Sequence, residues 1–281
     1  MAAAAGTDLP ASFLNVYRAP RLIAGAAGWR LRKNRKEQDA SARIHAISGP
    51  YGIYRTGSVP GMTARDWHAW HETYEDPHSP LARRLGMIQG QIRAMLDAAP
   101  PGPLRAISLC AGQGRDLIGV LASHPRGADV TAWLVELDPR NTEFARRLAA
   151  DAGLEGVEVI TADAALTSHY APLVPAHLVV ACGLFGNMTD ADVKRTIGFC
   201  PQLCAAGGTV VWTRGRWAPD LLPRVCGWFE EVGFERVWVS PPDFPPGCGA
   251  HRFAGTPVPL EEGVSMFTFR AHHPVTGPPR A

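Results

Sequence analysis

The chain has 281 residues and is short of the features that mark an oxidised, membrane-bound or strongly charged protein. No CxxC pair occurs among its six cysteines, Cys110, Cys182, Cys200, Cys204, Cys226 and Cys248, and no histidine or second pair completes a zinc site around Cys200 and Cys204. They read as buried, reduced thiols of a cytoplasmic protein. No apolar run approaches the roughly 18 residues of a membrane span, so no membrane partner is expected. The opening stretch "MAAAAGTDLPASFLNVYRAP" lacks a basic region followed by an unbroken apolar core, and no signal peptide is expected. Lys plus Arg number 28 against 26 Asp plus Glu, a surplus too small to indicate nucleic acid. There is no internal repeat.

What is present is a globular composition, 46% hydrophobic and 19% charged, with 29 glycines and 25 prolines punctuating an intact periodicity. Two textures divide the chain. In the first, residues 1–100, "RLIAGAAGWRLRKNRKEQDASARI" begins as a helix and carries a basic run, Arg30, Arg32, Lys33, Arg35 and Lys36. "WHAWHETY" sets Trp67, Trp70 and Tyr74 on one helical face with His68 and His71 beside them, shortly after Tyr51 and Tyr54. "SPLARRLGMIQGQIRAMLDA" predicts a helix capped by Ser79 with Pro80 in its first turn. Pro100, Pro101 and Pro103 then mark the expected boundary between an N-terminal helical lid or acceptor-recognition segment, 1–100, and a second domain, 101–281.

In the second texture strands alternate with helices. Strands are expected over 104–109, 130–137, 157–163, 177–183, 208–214, 234–240 and 264–270, with helices after the first, second, fourth and fifth. Asp138 caps one helix and Pro139 opens it, and Gly153 closes it. The fold expected is α/β: a seven-stranded, mostly parallel Rossmann-like sheet with helices on both faces, plus the N-terminal helical extension. The last two strands have no helix between them, so one can return antiparallel.

The turn after the first strand, "LCAGQGRDL", offers Gly112 and Gly114 for close backbone approach to a ligand at the carboxyl ends of the strands. A dinucleotide fold wants a third glycine where Leu117 stands, and the phosphate pattern GxxxxGK[ST] is missing. Glu136 ends the second strand, where an acid accepts from ribose hydroxyls. "SLCAGQGRD", "LVELDP", "ITADAA" and "GGTVVW", in that order, resemble class I S-adenosylmethionine-dependent methyltransferases over about 104–281. The resemblance implies S-adenosyl-L-methionine as cofactor. It places the methionine part on Cys110, Ala111, Gly112, Gln113 and Gly114, the ribose on Glu136 beside Leu137, the adenine near Asp163 and Ala164, and the fourth-strand end at Cys182 and Gly183. Cys110 replaces the first loop glycine of that family, and Ser108 its usual first-strand acid.

On the acceptor side, "ACGLFGNMTD" lacks both the Asn/Asp-Pro-Pro-aromatic motif of planar-amine methylation and the acidic ligands of catechol-type enzymes, and no metal is expected. Asn187 and His251 are the candidates for a catalytic role. Asn187 or Thr189 equally reads as a helix cap, and His251 lies in "GCGAHRFAG", a glycine-rich loop between the sixth and seventh strands. Tyr54, His71, Tyr74, Phe185, Arg214 and Arg252 are the candidates for holding the acceptor, with Trp212 and Arg216 nearby in sequence; arginines there would suit an acidic one. The leading expectation is O-, N- or C-methylation of a small molecule. The alternatives are an RNA or protein methyltransferase, supported by "RLRKNRK", an NAD-dependent oxidoreductase, and a non-catalytic cofactor-binding module.

Overall fold

The computed structural model describes residues 66–269. Tyr51, Tyr54 and the basic run lie outside them, as does Arg270. The described residues all belong to the second of two compact units, Ser58–Ala281. Within it run α1 (Trp67–Trp70), a 3-10 turn (His71–Glu75), α2 (Pro80–Ala98), β1 (Leu104–Leu109), α3 (Leu117–Leu121), β2 (Val130–Glu136), α4 (Pro139–Asp151) and β3 (Val157–Thr161). There follow β4 (Ala176–Ala181), α5 (Asp190–Leu203), β5 (Cys204–Thr213), α6 (Leu222–Glu231), β6 (Phe234–Val239) and β7 (Cys248–Phe253).

The sheet order is β3-β2-β1-β4-β5-β7-β6. Strands β1 to β5 pair in parallel, while β7 runs antiparallel to both β5 and β6. The sheet is therefore mixed, with one reversed strand. Helices cover both faces, which is why β1 reads as an apolar run rather than an alternation. Ile107 and Leu109 point into the core beneath α5 and α6, whereas Leu104 and Ala106 pack with Ile88, Ile92 and Leu96 of α2.

That packing corrects the boundary expected at the prolines. Helix α2 belongs to the same core as β1, β5 and β7, and the proline-rich link is a turn inside one unit. The Arg126 guanidinium fastens the turn, donating to the Ala99 carbonyl at 2.8 Å and the Gly102 carbonyl at 2.7 Å. The α2 start is as expected: Ser79 Oγ accepts from the Ala82 amide at 3.0 Å, with Pro80 in the first turn.

The seventh strand is not where the sequence pattern put it. Residues 264–269 make only isolated bridges, Ser265 to Leu166 and Phe269 to Met188, and their apolar signal comes from Met266 and Phe267 buried against the core. The strand beside β5 is instead "CGAHRF", read from sequence as a loop. Its glycine is a packing requirement: a Cβ on Gly249 would lie 2.4 Å from the buried Trp212 ring.

His251 is consequently a core residue. It is fully buried in β7, its ring stacked 4.7 Å from Phe229, and its Nδ1 accepts from Trp212 Nε1 at 3.0 Å. Burial, helped by the Arg236 charge and opposed by Glu230, holds it at a pKa of about 4. A histidine depressed in the folded state protonates first in the unfolded chain. Its contribution to stability is thus intact above pH 6.5 and is lost as pH falls toward 4, amounting at most to about 3 kcal/mol. His251→Gln keeps an acceptor for Trp212 and cannot titrate. Urea midpoints of the variant are expected to change less than those of the parent between pH 6.5 and 4, and equal slopes would refute the assignment.

Candidate functional site

The chain builds β1, β2 and β3 in one direction across the sheet and then returns to build β4 and β5 in the other. In open α/β sheets the loops that diverge at such a reversal, here those leaving β1 and β4, flank the ligand crevice at the carboxyl ends of the strands. Three residues of the β1 loop have left-handed backbone, Cys110 (φ 51°), Gly112 (φ 56°) and Gly114 (φ 65°). Cys110 adopts it without being glycine, at a cost of about 1–3 kcal/mol that the surrounding structure must offset. The Ala111 amide donates to the Val135 carbonyl at 3.1 Å, anchoring the loop to β2. A Cβ on Gly114 would sit 2.7 Å from both Ile118 and Leu134 side chains.

Glu136 faces this loop. One carboxylate oxygen accepts from the Gly112 amide at 2.9 Å and the other from the Asp138 amide at 2.9 Å. Burial pushes its carboxyl up, and the two N–H donors pull it back toward ionisation. Asp163 follows β3, accepting from the Ala165 amide at 2.9 Å, while Tyr170 donates to the Ala164 carbonyl at 2.8 Å. Cys110 lies close enough to Glu136 and Asp163 that burial and their charges together keep it a thiol. Beside the buried acid, Leu137 is 67% exposed, an apolar side chain standing open at the rim.

A second wall comes from β4 and β5. Gly183 has φ 79°, its amide donates to Thr213 Oγ1 at 2.8 Å, and its carbonyl accepts from Asn187 Nδ2 at 2.9 Å. Asn187 therefore braces the loop, and Thr189 is the cap of α5, accepting from the Asp192 amide at 3.1 Å. Arg214 is buried at the end of β5 with its guanidinium 5.5 Å from the exposed Trp217 ring.

The roof is the segment before α2. The aromatic stripe expected as one helix is a single α-turn followed by a 3-10 turn, and it is His71 that meets the glycine loop: a Cβ on Gly112 would lie 2.5 Å from His71 Nε2. Two ion pairs tie the roof down, Asp66 to Arg140 at 3.0 Å and Glu75 to Arg115 at 2.9 Å. Tyr74 accepts from Arg84 at 3.2 Å, and Arg84 also lies 5.5 Å from the Trp70 ring. Asp116, which caps α3 through the Leu117 amide at 2.8 Å, has its carboxyl pushed up by burial and drawn down by Arg84. Burial keeps Cys182 a thiol.

Residues Cys110 to Gly114, Glu136, Leu137, Asp163 and Ala164 thus gather at the ends of β1–β3, with Cys182, Gly183, Asn187 and Arg214 at the ends of β4 and β5, and His71 and Tyr74 above. Three expectations are corrected. Phe185 is fully buried against Trp212, ring centroids 6.2 Å apart, and lines the core. Arg252 pairs in register with Thr209, toward the far end of β5, and is held by Glu235 at 2.6 Å. His251 is enclosed beneath α6, as described above. Sequence reasoning missed Arg84 and Asp116. The one available signal was an acid placed directly after the glycine turn.

The solved CurJ carbon methyltransferase superposes with a TM-score of 0.53 at 16% identity, over 66% of this chain and 58% of that one. The chain has the class I methyltransferase fold. A possible exported protein from Bordetella parapertussis is also similar, TM-score 0.50 at 17% identity, over 62% of this chain and 68% of that one. No family model matches the sequence, and no curated protein does. In this methyltransferase fold the crevice between the β1 and β4 loops lies where open α/β sheets bind ligands. Among the described residues, no helix is long and apolar enough to cross a membrane.

Proposed function

We propose that the protein is an S-adenosylmethionine-dependent methyltransferase acting on a small-molecule acceptor in the cytoplasm. The observation that carries the reading is Glu136, a largely buried acid at the end of β2 whose two oxygens hold the glycine loop and the start of α4. The residues present fit the cofactor. Gly112 and Gly114 hold left-handed backbone that brings the loop's main chain to the ends of the strands, Glu136 offers acceptors to a ribose, and Leu137 offers an apolar face to an adenine with Asp163 beyond it. An NAD site is less well matched, because Leu117, where a third glycine would stand, is fully buried in the core beneath α3.

When bound, the cofactor supplies an electrophilic sulfonium methyl. The protein's task is to hold the acceptor in line and to exclude water. The roof of Trp70, His71 and Tyr74, pinned at Asp66 and Glu75, narrows the crevice and supplies aromatic surface suited to a small acceptor. Asn187 holds the loop after β4, and Arg214, buried just after β5 beside Trp217, is the candidate nearest to it for a polar group of the acceptor.

Calorimetric titration of the purified protein with S-adenosylmethionine, S-adenosylhomocysteine and, separately, NAD tests the reading. Micromolar binding of both adenosyl ligands with no NAD response is expected. NAD binding, or silence toward all three, would overturn it. Release of S-adenosylhomocysteine on incubation with any acceptor would then separate an enzyme from a binding module.

A further inference from the structure

The roof histidine is set in one protonation state by its surroundings. His71 Nδ1 lies 2.6 Å from the Trp67 carbonyl oxygen. A carbonyl only accepts, so the hydrogen resides on Nδ1 and the lone pair on Nε2. Nε2 makes no hydrogen bond among the described residues, and it is the atom turned onto Gly112 in the glycine loop. The ring is fixed edge-on to Trp70 at 5.3 Å and beside Tyr74 at 5.7 Å, but 9% of the residue's surface stays exposed. A locked ring whose Nε2 lone pair no protein donor occupies, set against the glycine loop, is the arrangement a base needs.

The charges that lower its pKa are cationic, Arg115 from the β1 loop, Arg84 from α2 and, when protonated, His68 from α1, while the Glu136 carboxylate of β2 sits on the amide of Gly112, across the loop from the ring. Tyr74 from the 3-10 turn is a neutral phenol, its pKa raised by burial. Burial first, then the cationic charges, keeps His71 neutral through the physiological range, with the Trp67 carbonyl opposing them.

We propose that His71 Nε2 takes the proton from the atom that is methylated, so that the acceptor is a hydroxyl or an N–H group still protonated at neutral pH. The inference rests on the methyltransferase reading above. The acceptor's X–H bond breaks toward Nε2 as its bond to the methyl carbon forms, and the electrons of the broken S–C bond stay on sulfur. Positive charge passes from sulfonium to imidazolium, and the proton then leaves to solvent. The cationic neighbours hasten that departure.

The test needs no knowledge of the acceptor. Sinefungin carries an ammonium group in the position of the transferable methyl, and S-adenosylhomocysteine has nothing there. Calorimetry on the full chain should show a preference for sinefungin of roughly tenfold, the worth of one charge-assisted hydrogen bond. His71→Leu should abolish the preference, read as the ratio of the two affinities within the variant, whereas His71→Gln, which can present an acceptor oxygen, should keep part of it. Nitrogen NMR of the parent protein labelled at histidine should show Nε2 unprotonated at pH 7 and shifted by sinefungin more than by S-adenosylhomocysteine. An unchanged preference in His71→Leu, or a hydrogen found on Nε2 at pH 7, overturns the proposal and leaves the cofactor reading standing. Failure of the parent protein to bind either ligand overturns both.

Discussion

Replacing Glu136 with alanine is expected to lower S-adenosylmethionine affinity by roughly 100-fold. Hydrogen bonds to a charged group contribute about 1.5–3 kcal/mol each, and water restores part of what two lost ribose contacts would cost. The substitution also releases the Gly112 and Asp138 amides that the carboxylate holds, so the glycine loop keeps only its Ala111–Val135 backbone bond to β2. Glu136→Gln should bind nearly as poorly as the alanine variant. An amide has one acceptor oxygen, and its NH2 must then face either the Gly112 or the Asp138 N–H, donor against donor. Titration calorimetry measures both affinities, with urea unfolding as a check that the fold is intact. A glutamine variant that bound like the parent protein would show that the carboxylate's charge and second acceptor are immaterial.

The largest loss of stability is expected at Trp212→Ala, about 4 kcal/mol. The indole is fully buried between Phe185 and Phe229, with its N–H on His251 and Gly249 flat against its ring. Truncation opens a cavity in the core beneath α5 and α6 and leaves His251 Nδ1 without its donor. Trp212→Phe separates the two effects: most of the packing survives, and the lost hydrogen bond alone should cost about 1–2 kcal/mol. Urea denaturation reads both values. Equal losses for alanine and phenylalanine would mean that the hydrogen bond, rather than the packing, holds this region together.

The residues proposed for the cofactor stood out in the sequence because backbone geometry leaves marks there. Gly112 and Gly114 occupy left-handed positions that few residues tolerate, and Glu136, Asp138 and Pro139 sit where a strand ends and a helix begins. The acceptor side left no such marks. His71, Arg84, Asp116 and Cys182 arrive from four separate segments, and no local period links them.

Two readings failed for a shared physical reason, that burial and strand pairing are different things. Met266 and Phe267 are buried against the core without joining the sheet, so they carry a strand's apolar signature with only isolated bridges. Cys248–Phe253 pairs along its whole length, yet its Gly249, required by the Trp212 ring, reads as a loop. His251 was misplaced with it. The aromatic stripe at Trp67, Trp70 and Tyr74 was rightly seen as one-sided, but the ring that reaches the glycine loop belongs to the histidine between them.

A carboxylate has about four lone-pair directions, two on each oxygen. In Glu136 each oxygen already spends one on a backbone N–H, the Leu137 N–H also draws on the carboxylate, and at most one direction remains on each. On the proposed reading that remainder matches the two hydroxyls of a ribose one for one, with no bond to be broken before they arrive. On that reading a 2′-deoxy or 3′-deoxy nucleoside would leave one direction empty beside a partly buried charge, and the acid would select its sugar by stoichiometry as well as by shape.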